Sequence, residues 1–247
     1  TGRCLASGAM ALATRTDRPP SLIGSVWRST VGKKAVMAVT GMIMLAYLVA
    51  HVVGNLKVFF GAGEFNHYGH WIRTVGEPFL HYEWFLWIAR AALGTAVVLH
   101  GVAAYQLSRR DLAARPQNYA GTRGKKGRRA SYATRTMRWG GVILGLFIVW
   151  HVLDLTTLTV NPNAEEGRPY ENLVASLDRP AVTAFYIAAM LALGLHIRHG
   201  FWSAAQTLGA NSPRRDRALK FLANALALVL TCGFIAVPVG VLTGVVS

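Results

Sequence analysis

Five stretches of this chain are too long and too apolar for the faces of a water-soluble core: 35–60, 83–108, 139–160, 180–209 and 221–246. About 20 residues of helix cross the hydrocarbon of a bilayer. Lipid offers no hydrogen bonds to the backbone, so a spanning segment must be a helix or part of a closed barrel. Segments of this length are helices, because barrel strands need only about ten residues. The expected fold is an all-α integral membrane protein, a bundle of five transmembrane helices. Composition agrees. Charged residues make up 15% of the chain, against about 25% in a soluble domain, and the mean hydropathy is +0.33.

The charge is strongly basic, with 26 Lys and Arg against 11 Asp and Glu. Such a balance on a soluble chain would suggest nucleic acid. Here the bases sit in short segments between apolar runs, which is the pattern of cytoplasmic loops. No nucleic-acid role is expected. Arg3, Arg15, Arg18, Arg28, Lys33 and Lys34 precede or open the first span. Arg109, Arg110, Arg115, Arg123, Lys125, Lys126, Arg128, Arg129, Arg135 and Arg138 fill the second loop, and Arg214, Arg215, Arg217 and Lys220 the fourth. The other two loops hold Glu64, Glu77, Glu165, Glu166, Glu171 and Asp178. The positive-inside rule then puts the N-terminus in the cytoplasm and the C-terminus outside. The chain divides into a cytoplasmic segment, 1–32, and a five-helix membrane domain, 33–247, with a basic cytoplasmic loop at 109–138. The 112–137 part of that loop has two readings, a solvated topology determinant and a docking surface for a cytoplasmic protein.

Residues 5–13 faintly resemble a secretory h-region, but the stretch is short, broken by Gly8 and preceded by the single Arg3. It is not expected to be cleaved, which leaves targeting to the first span. The two cysteines, Cys4 and Cys232, are far apart and form no C-x-x-C. That excludes a four-cysteine zinc or iron–sulfur site within the chain, and both are expected to be plain thiols.

Four histidines lie inside spans: His51, His100, His151 and His196. Ionisable side chains are costly in hydrocarbon and face the bundle interior. A single one would be explained by a hydrogen bond between helices, but four on successive helices need a joint explanation. At about 1.5 Å per helical residue, His100 lies roughly 26 Å in from Glu83, and His196 roughly 26 Å in from Arg179. His51 and His151 lie only about 15 Å from Gly61 and Asn161. The antiparallel course therefore yields two pairs, His51 with His151 near the outer face and His100 with His196 nearer the cytoplasm.

Two imidazoles facing one another suit an axial bis-histidine site for haem iron, with the second ring nitrogen oriented by an acceptor. Gly54, Gly94, Gly101, Gly145, Gly194 and Gly200 would give room for it, although small residues also simply let helices approach. Arg198, His199 and Ser203 are candidate contacts for the propionates of the inner haem; their plain reading is snorkelling to the headgroups. Zinc would want its ligands at one depth, which this arrangement does not offer. A proton relay of histidines stays open as a rival.

Several runs resemble the b558 family of succinate dehydrogenase cytochrome b subunits. They are Ser29-Thr30-Val31-Gly32-Lys33-Lys34-Ala35-Val36-Met37-Ala38-Val39-Thr40-Gly41 followed by His51, Leu112-Ala113-Ala114-Arg115-Pro116-Gln117-Asn118-Tyr119, and His196-Ile197-Arg198-His199-Gly200-Phe201-Trp202-Ser203-Ala204-Ala205-Gln206-Thr207-Leu208-Gly209. The resemblance runs from about Ser21 onward. It implies a membrane anchor for a flavoprotein, which oxidises succinate, and an iron–sulfur subunit, in the cytoplasmic membrane of a bacterium and open to assembly into a higher oligomer. It implies two haem b groups with axial ligands at His51, His100, His151 and His196, and a quinone, menaquinone above all, reduced near the outer haem. Diheme fumarate reductases of the superfamily carry a glutamate two residues before the last ligand. Gly194 stands there, which removes the side chain for that proton route and favours succinate oxidation over fumarate reduction.

On this reading electrons pass the inner haem and then the outer one. An electron gains roughly 2.3 kcal/mol per 100 mV on moving towards the positive side. Quinone reduction also needs protons. Asp154 lies three residues past His151 on the same helical face, and Glu77, His81 and Glu83 lie where the second span begins. The plain readings are that Asp154 pairs with an arginine or hydrogen-bonds a ligand histidine, and that Glu83 marks a helix start. Arg90, inside the second span, has three readings: a partner of Asp154, a contact of an outer-haem propionate, or a wall of the quinone pocket. His67 and His70 are expected at the surface. The rival functions are a fumarate reductase anchor, a haemless transporter or proton channel, and a purely structural anchor.

Overall fold

A computed structural model describes residues 21–114, 125–210 and 212–247, with side chains at all of these except 22–23 and 125–135. Residues 5–13, Cys4, and the 115–119 part of the second loop's motif lie outside the described residues. So do Arg3, Arg15, Arg18, Arg115 and Arg123. The regular structure of the described residues is all helical, without strands.

The helices are α1 (Leu22–Arg28), α2 (Thr30–Leu56), α3 (Ala62–Thr74), α4 (Trp84–Ala113), α5 (Lys125–Leu155), α6 (Pro169–Leu177), α7 (Pro180–Thr207) and α8 (Asp216–Leu242), with a 3-10 turn, Lys57–Phe60, closing α2. Five stretches are long and apolar enough to cross a membrane: Thr30–Phe60, Trp84–Ala113, Thr136–Leu155, Pro180–Thr207 and Asp216–Leu242. Their outward side chains suit lipid rather than water; Val31, Phe60 and Phe221 are each about three-quarters exposed. This is a multi-pass membrane protein.

Local chemistry sets the helix ends. Ser21 caps α1 by accepting from the Gly24 N–H, and Ser29 caps α2 by accepting from the Gly32 N–H at 2.8 Å. The Ser29 cap breaks the chain into two helices where the apolar pattern alone gives no boundary. Pro169 and Pro180 open α6 and α7 at the first turn, where a missing N–H costs nothing. Pattern and structure part at the flanks. Helical turns run on through basic residues, as at Lys33 and Lys34, because a helix may continue into the headgroups. The third span stops at Leu155 rather than Val160, and Leu158 turns the chain with φ 60°. Thr156, Thr157 and Thr159 favour such a turn over a further helical one.

The two acidic connections are not plain loops. Each holds a helix, α3 and α6, and the two pack on one another at one end of the bundle. Asn66 of α3 donates to Glu171 at 3.0 Å and accepts from the Tyr170 N–H at 2.9 Å. Gly69 lets Pro169 approach, since a Cβ there would lie 2.9 Å from the proline Cγ. Asn161 and Asn172 tie the approach to α6 to itself, and the Tyr170 hydroxyl reaches the Ser247 carbonyl at 3.2 Å. At the opposite, basic end, Arg110 donates to the Arg28 carbonyl and the Thr30 hydroxyl, and Arg138 pairs with Asp111 at 2.7 Å.

Among the long helices, α7 packs on α8, α2 on α4, α7 and α8, and α5 on α7. Lipid is as apolar as a leucine, so close fit rather than water exclusion holds them. Glycine provides it. A Cβ at Gly194 would lie 2.2 Å from the Thr231 Oγ of α8, and one at Gly233 2.6 Å from Val52 of α2. Leu230, Phe234 and Val237 of α8 and Ala189 and Ile197 of α7 fill the seam.

Two outcomes are expected. Gly194→Leu should lower stability in detergent by about 1–3 kcal/mol through overpacking, read as a fall in thermal midpoint. Gly63→Ala, where a Cβ meets nothing within 4 Å, should not. At Glu171 partial burial works to raise the carboxyl pKa, but the Asn66 hydrogen bond, the residue's own backbone N–H and the Arg168 charge outweigh it and leave it lowered. A lowered carboxylate stabilises the fold above its ordinary value of 4.5 and loses that contribution as pH falls through the folded value. Thermal midpoints below pH 4.5 should therefore drop in the natural chain, and Glu171→Gln should remove that part of the dependence.

Candidate functional site

The four intramembrane histidines meet in two pairs. His51 of α2 and His151 of α5 lie five and four residues before their helices end, close to the end bearing α3 and α6. Their ring centroids are 5.9 Å apart, with the planes at 83°. His100 of α4 and His196 of α7 each lie 16 residues into helices that start at that same end, Trp84 and Pro180, so about 24 Å deep. Their centroids are 6.2 Å apart, at 58°.

These separations can be tested against a shared metal. An imidazole nitrogen sits about 2 Å from the metal it binds, and two rings on opposite sides of one ion then have centroids roughly 6 Å apart. Both pairs meet that distance. An imidazole that ligates through Nε2 commonly has Nδ1 held by a neighbour, as three of the four do here. The His100 Nδ1 lies 3.0 Å from the Met37 carbonyl oxygen and 3.3 Å from the Thr40 hydroxyl. The Thr40 proton goes to the Val36 carbonyl at 2.7 Å, so towards His100 its oxygen acts as acceptor. The His51 Nδ1 lies 3.3 Å from the Tyr47 hydroxyl, one turn back along α2, and their rings stack. The His151 Nδ1 lies 3.3 Å from the Tyr186 hydroxyl of α7. The His196 Nδ1 is buried without a hydrogen-bond partner.

A Cβ at Gly94, Gly101, Gly145 or Gly200 would meet nothing within 4 Å, and the first three are exposed, so none of them serves a helix contact. Gly54 and Gly194 differ. Their missing side chains are replaced by Tyr68, 2.8 Å from a Cβ at Gly54, and by Thr231; both serve helix packing. Gly41 sits on the His100 ring, 3.3 Å from Cε1 to a Cβ. A flat macrocycle between facing imidazoles fits this arrangement. A tetrahedral site does not, because no group of three or more His, Cys, Asp or Glu among the described residues is disposed to hold a metal.

Asp154 is wholly buried. Arg179 donates to its Oδ1 at 2.6 Å, Tyr186 donates to its Oδ2 at 2.9 Å, and Ser176 donates to the same oxygen. Arg90 is not its partner. That guanidinium lies over the Trp87 ring of its own helix, 4.9 Å from the centroid, and within electrostatic reach of Tyr47. Glu83 starts α4 from a left-handed backbone with φ 64° and pairs with Arg73 at 3.0 Å. Glu77 is exposed, and His81 stands edge-on to the Trp84 ring. His67 and His70 stand on α3. Arg198 donates to Asn224 of α8 at 2.8 Å, and Arg198, His199 and Ser203 are all exposed.

Sequence reasoning missed Tyr47, Tyr186, Ser176, Arg179, Thr40 and the Met37 carbonyl. The four-residue step from Tyr47 to His51 was the one readable signal. The others come from separate helices and share no spacing with the histidine they serve.

No protein-family model matches the chain, and no solved structure does. A similarity links it to the succinate dehydrogenase cytochrome b558 subunit of Bacillus subtilis (strain 168), 29% identical over 92 residues. The match spans 37% of this chain and 44% of that relative, less than half the length of either.

The ion pair invites a thermodynamic cycle. Arg179→Ala should cost roughly 2–3 kcal/mol in detergent unfolding, below the usual figure for a buried pair because Arg179 reaches solvent. Combined with Asp154→Asn, the loss should be smaller than the sum of the single changes.

Proposed function

We propose that this chain is the membrane-anchor cytochrome b of a succinate:quinone oxidoreductase. It would hold two haem b groups, one between His51 and His151 and one between His100 and His196. The observation that carries the reading is the meeting of four intramembrane imidazoles, from four helices, in two pairs at haem-like separation. The similarity to a succinate dehydrogenase cytochrome subunit supports the same reading.

When bound, the two haems supply one-electron steps along the bundle between an iron–sulfur partner and a quinone. The work of the chain's own residues is placement. Met37 and Thr40 accept from the outward nitrogen of His100 and Tyr186 from that of His151, which leaves Nε2 for the metal in both rings, and Tyr47 stacks on His51 within reach of its Nδ1. Phe147 stacks on His151 and Phe234 lies against His51, which keeps water from the outer pair. The basic end faces the cytoplasm and receives the iron–sulfur and flavoprotein subunits, with Arg28, Arg109, Arg110 and Arg138 at the surface they meet. The acidic end faces outward in a bacterial cytoplasmic membrane. There His51 and His151 sit closest to the quinone, menaquinone by preference, and Glu77, His81 and Glu83 are the proton-bearing groups. Arg90, near Tyr47, and Arg198 with His199 are the charges for the outer and inner propionates.

The direction is succinate oxidation. Gly194 lies against Thr231, and no side chain at that position could run a proton route through the bundle.

A pyridine haemochrome assay with protein quantitation should give two haems per chain. His100→Ala and His151→Ala should each reduce the count to one and slow succinate-driven quinone reduction by several orders of magnitude. One haem in the natural chain would retire one pair. None would overturn the reading in favour of a haemless intramembrane histidine relay.

A further inference from the structure

We infer that Tyr186, held by the buried Asp154–Arg179 pair, is the positioning residue that sets the tautomer and donor strength of His151. This rests on the haem reading and adds to it a specific hydrogen-bonded chain. Asp154 accepts from Arg179 on Oδ1 and from Ser176 and Tyr186 on Oδ2. Every one of these contacts is a donor to the carboxyl, which serves as acceptor on both oxygens. Arg179 is itself fixed, donating to the Val160 and Ser176 carbonyls.

A phenol has one proton, and that of Tyr186 goes to Asp154 at 2.9 Å. Towards the His151 Nδ1, 3.3 Å away, the same oxygen can then only accept. Nδ1 must therefore bear the ring hydrogen. Nε2 is left with the lone pair, the arrangement an axial ligand requires. Carboxylate, phenol and imidazole polarise one another in series, so negative charge on Asp154 makes His151 a stronger donor to iron. A stronger donor favours the oxidised metal and lowers its potential.

The other three histidines lack this backing among the described residues. His100 gives its hydrogen to a neutral carbonyl, His51 faces Tyr47, and the His196 Nδ1 has no hydrogen-bond partner. The effect should therefore fall on one haem and spare the other. Tyr186 packs edge-on to Phe147 at 5.0 Å between centroids, a contact that phenylalanine keeps.

The test is a spectroscopic redox titration of the purified complex as the natural protein, Tyr186→Phe and Asp154→Asn, with haem counted per chain. The step belonging to the outer haem is identified as the one lost in His151→Ala. In both variants that step should move to higher potential, by about tenfold in the one-electron equilibrium or about 59 mV, while the other stays in place. The low-spin resonance of the same haem should shift with it. Loss of that haem alone from Tyr186→Phe is the extreme form of the same effect. Two haems bound with neither step moved, or both haems lost together, would overturn the inference. A natural protein without haem would instead overturn the functional reading beneath it.

Discussion

An imidazole placed among hydrocarbon tails has a ring N–H that must find an acceptor and a lone pair that must find a donor or a metal. That demand arises four times here. On α2, α4, α5 and α7 the histidines turn inward, and three of the four have Nδ1 within hydrogen-bond distance of a hydroxyl or carbonyl oxygen, while that of His196 has no such partner. In the two pairs the rings stand 5.9 and 6.2 Å apart between centroids, and the proposed haem reading gives their remaining nitrogens a common partner.

The packing around the pairs is uneven. Where the bundle needs strength, between α7 and α8 and between α2 and α8, glycines are filled by Thr231 and Val52 across the seam. At Gly94, Gly101, Gly145 and Gly200 no neighbour stands within 4 Å of a Cβ, so these glycines take no part in that close fit. The α3–α6 layer closes the end nearer the His51–His151 pair, with Asn66 tying the two helices through both its amide atoms.

The two pairs differ in what stands behind them. The His100–His196 pair leans on a backbone carbonyl and the Thr40 hydroxyl, and the His51–His151 pair on two phenols, one of them anchored to a carboxylate. Charge is tolerated at Asp154 because Arg179 approaches from the membrane surface, where its own solvation is only partly lost. The asymmetry lies in which groups stand behind each imidazole.

Much of this was legible in the sequence. Apolar run length gave the five spans, since nothing but a helix satisfies a backbone in lipid. Counting residues from helix ends paired His51 with His151 and His100 with His196, since rise per residue converts directly to depth. Roles resting on a meeting of distant side chains were not legible. From sequence, Asp154 admits a proton role or a partner arginine, with Arg90 one candidate; the partner is Arg179, because α6 and the start of α7 fold back over α5. Gly54 and Gly194 read equally as room or as contacts, and are contacts. The acidic connections looked like loops, although Asn66, Tyr170 and Glu171 make them a layer. Spacing along one helix and depth across a membrane are one-dimensional quantities, fixed by the chain itself. Which hydroxyl faces which imidazole depends on how helices rotate and lean together, and only the tertiary structure decides that.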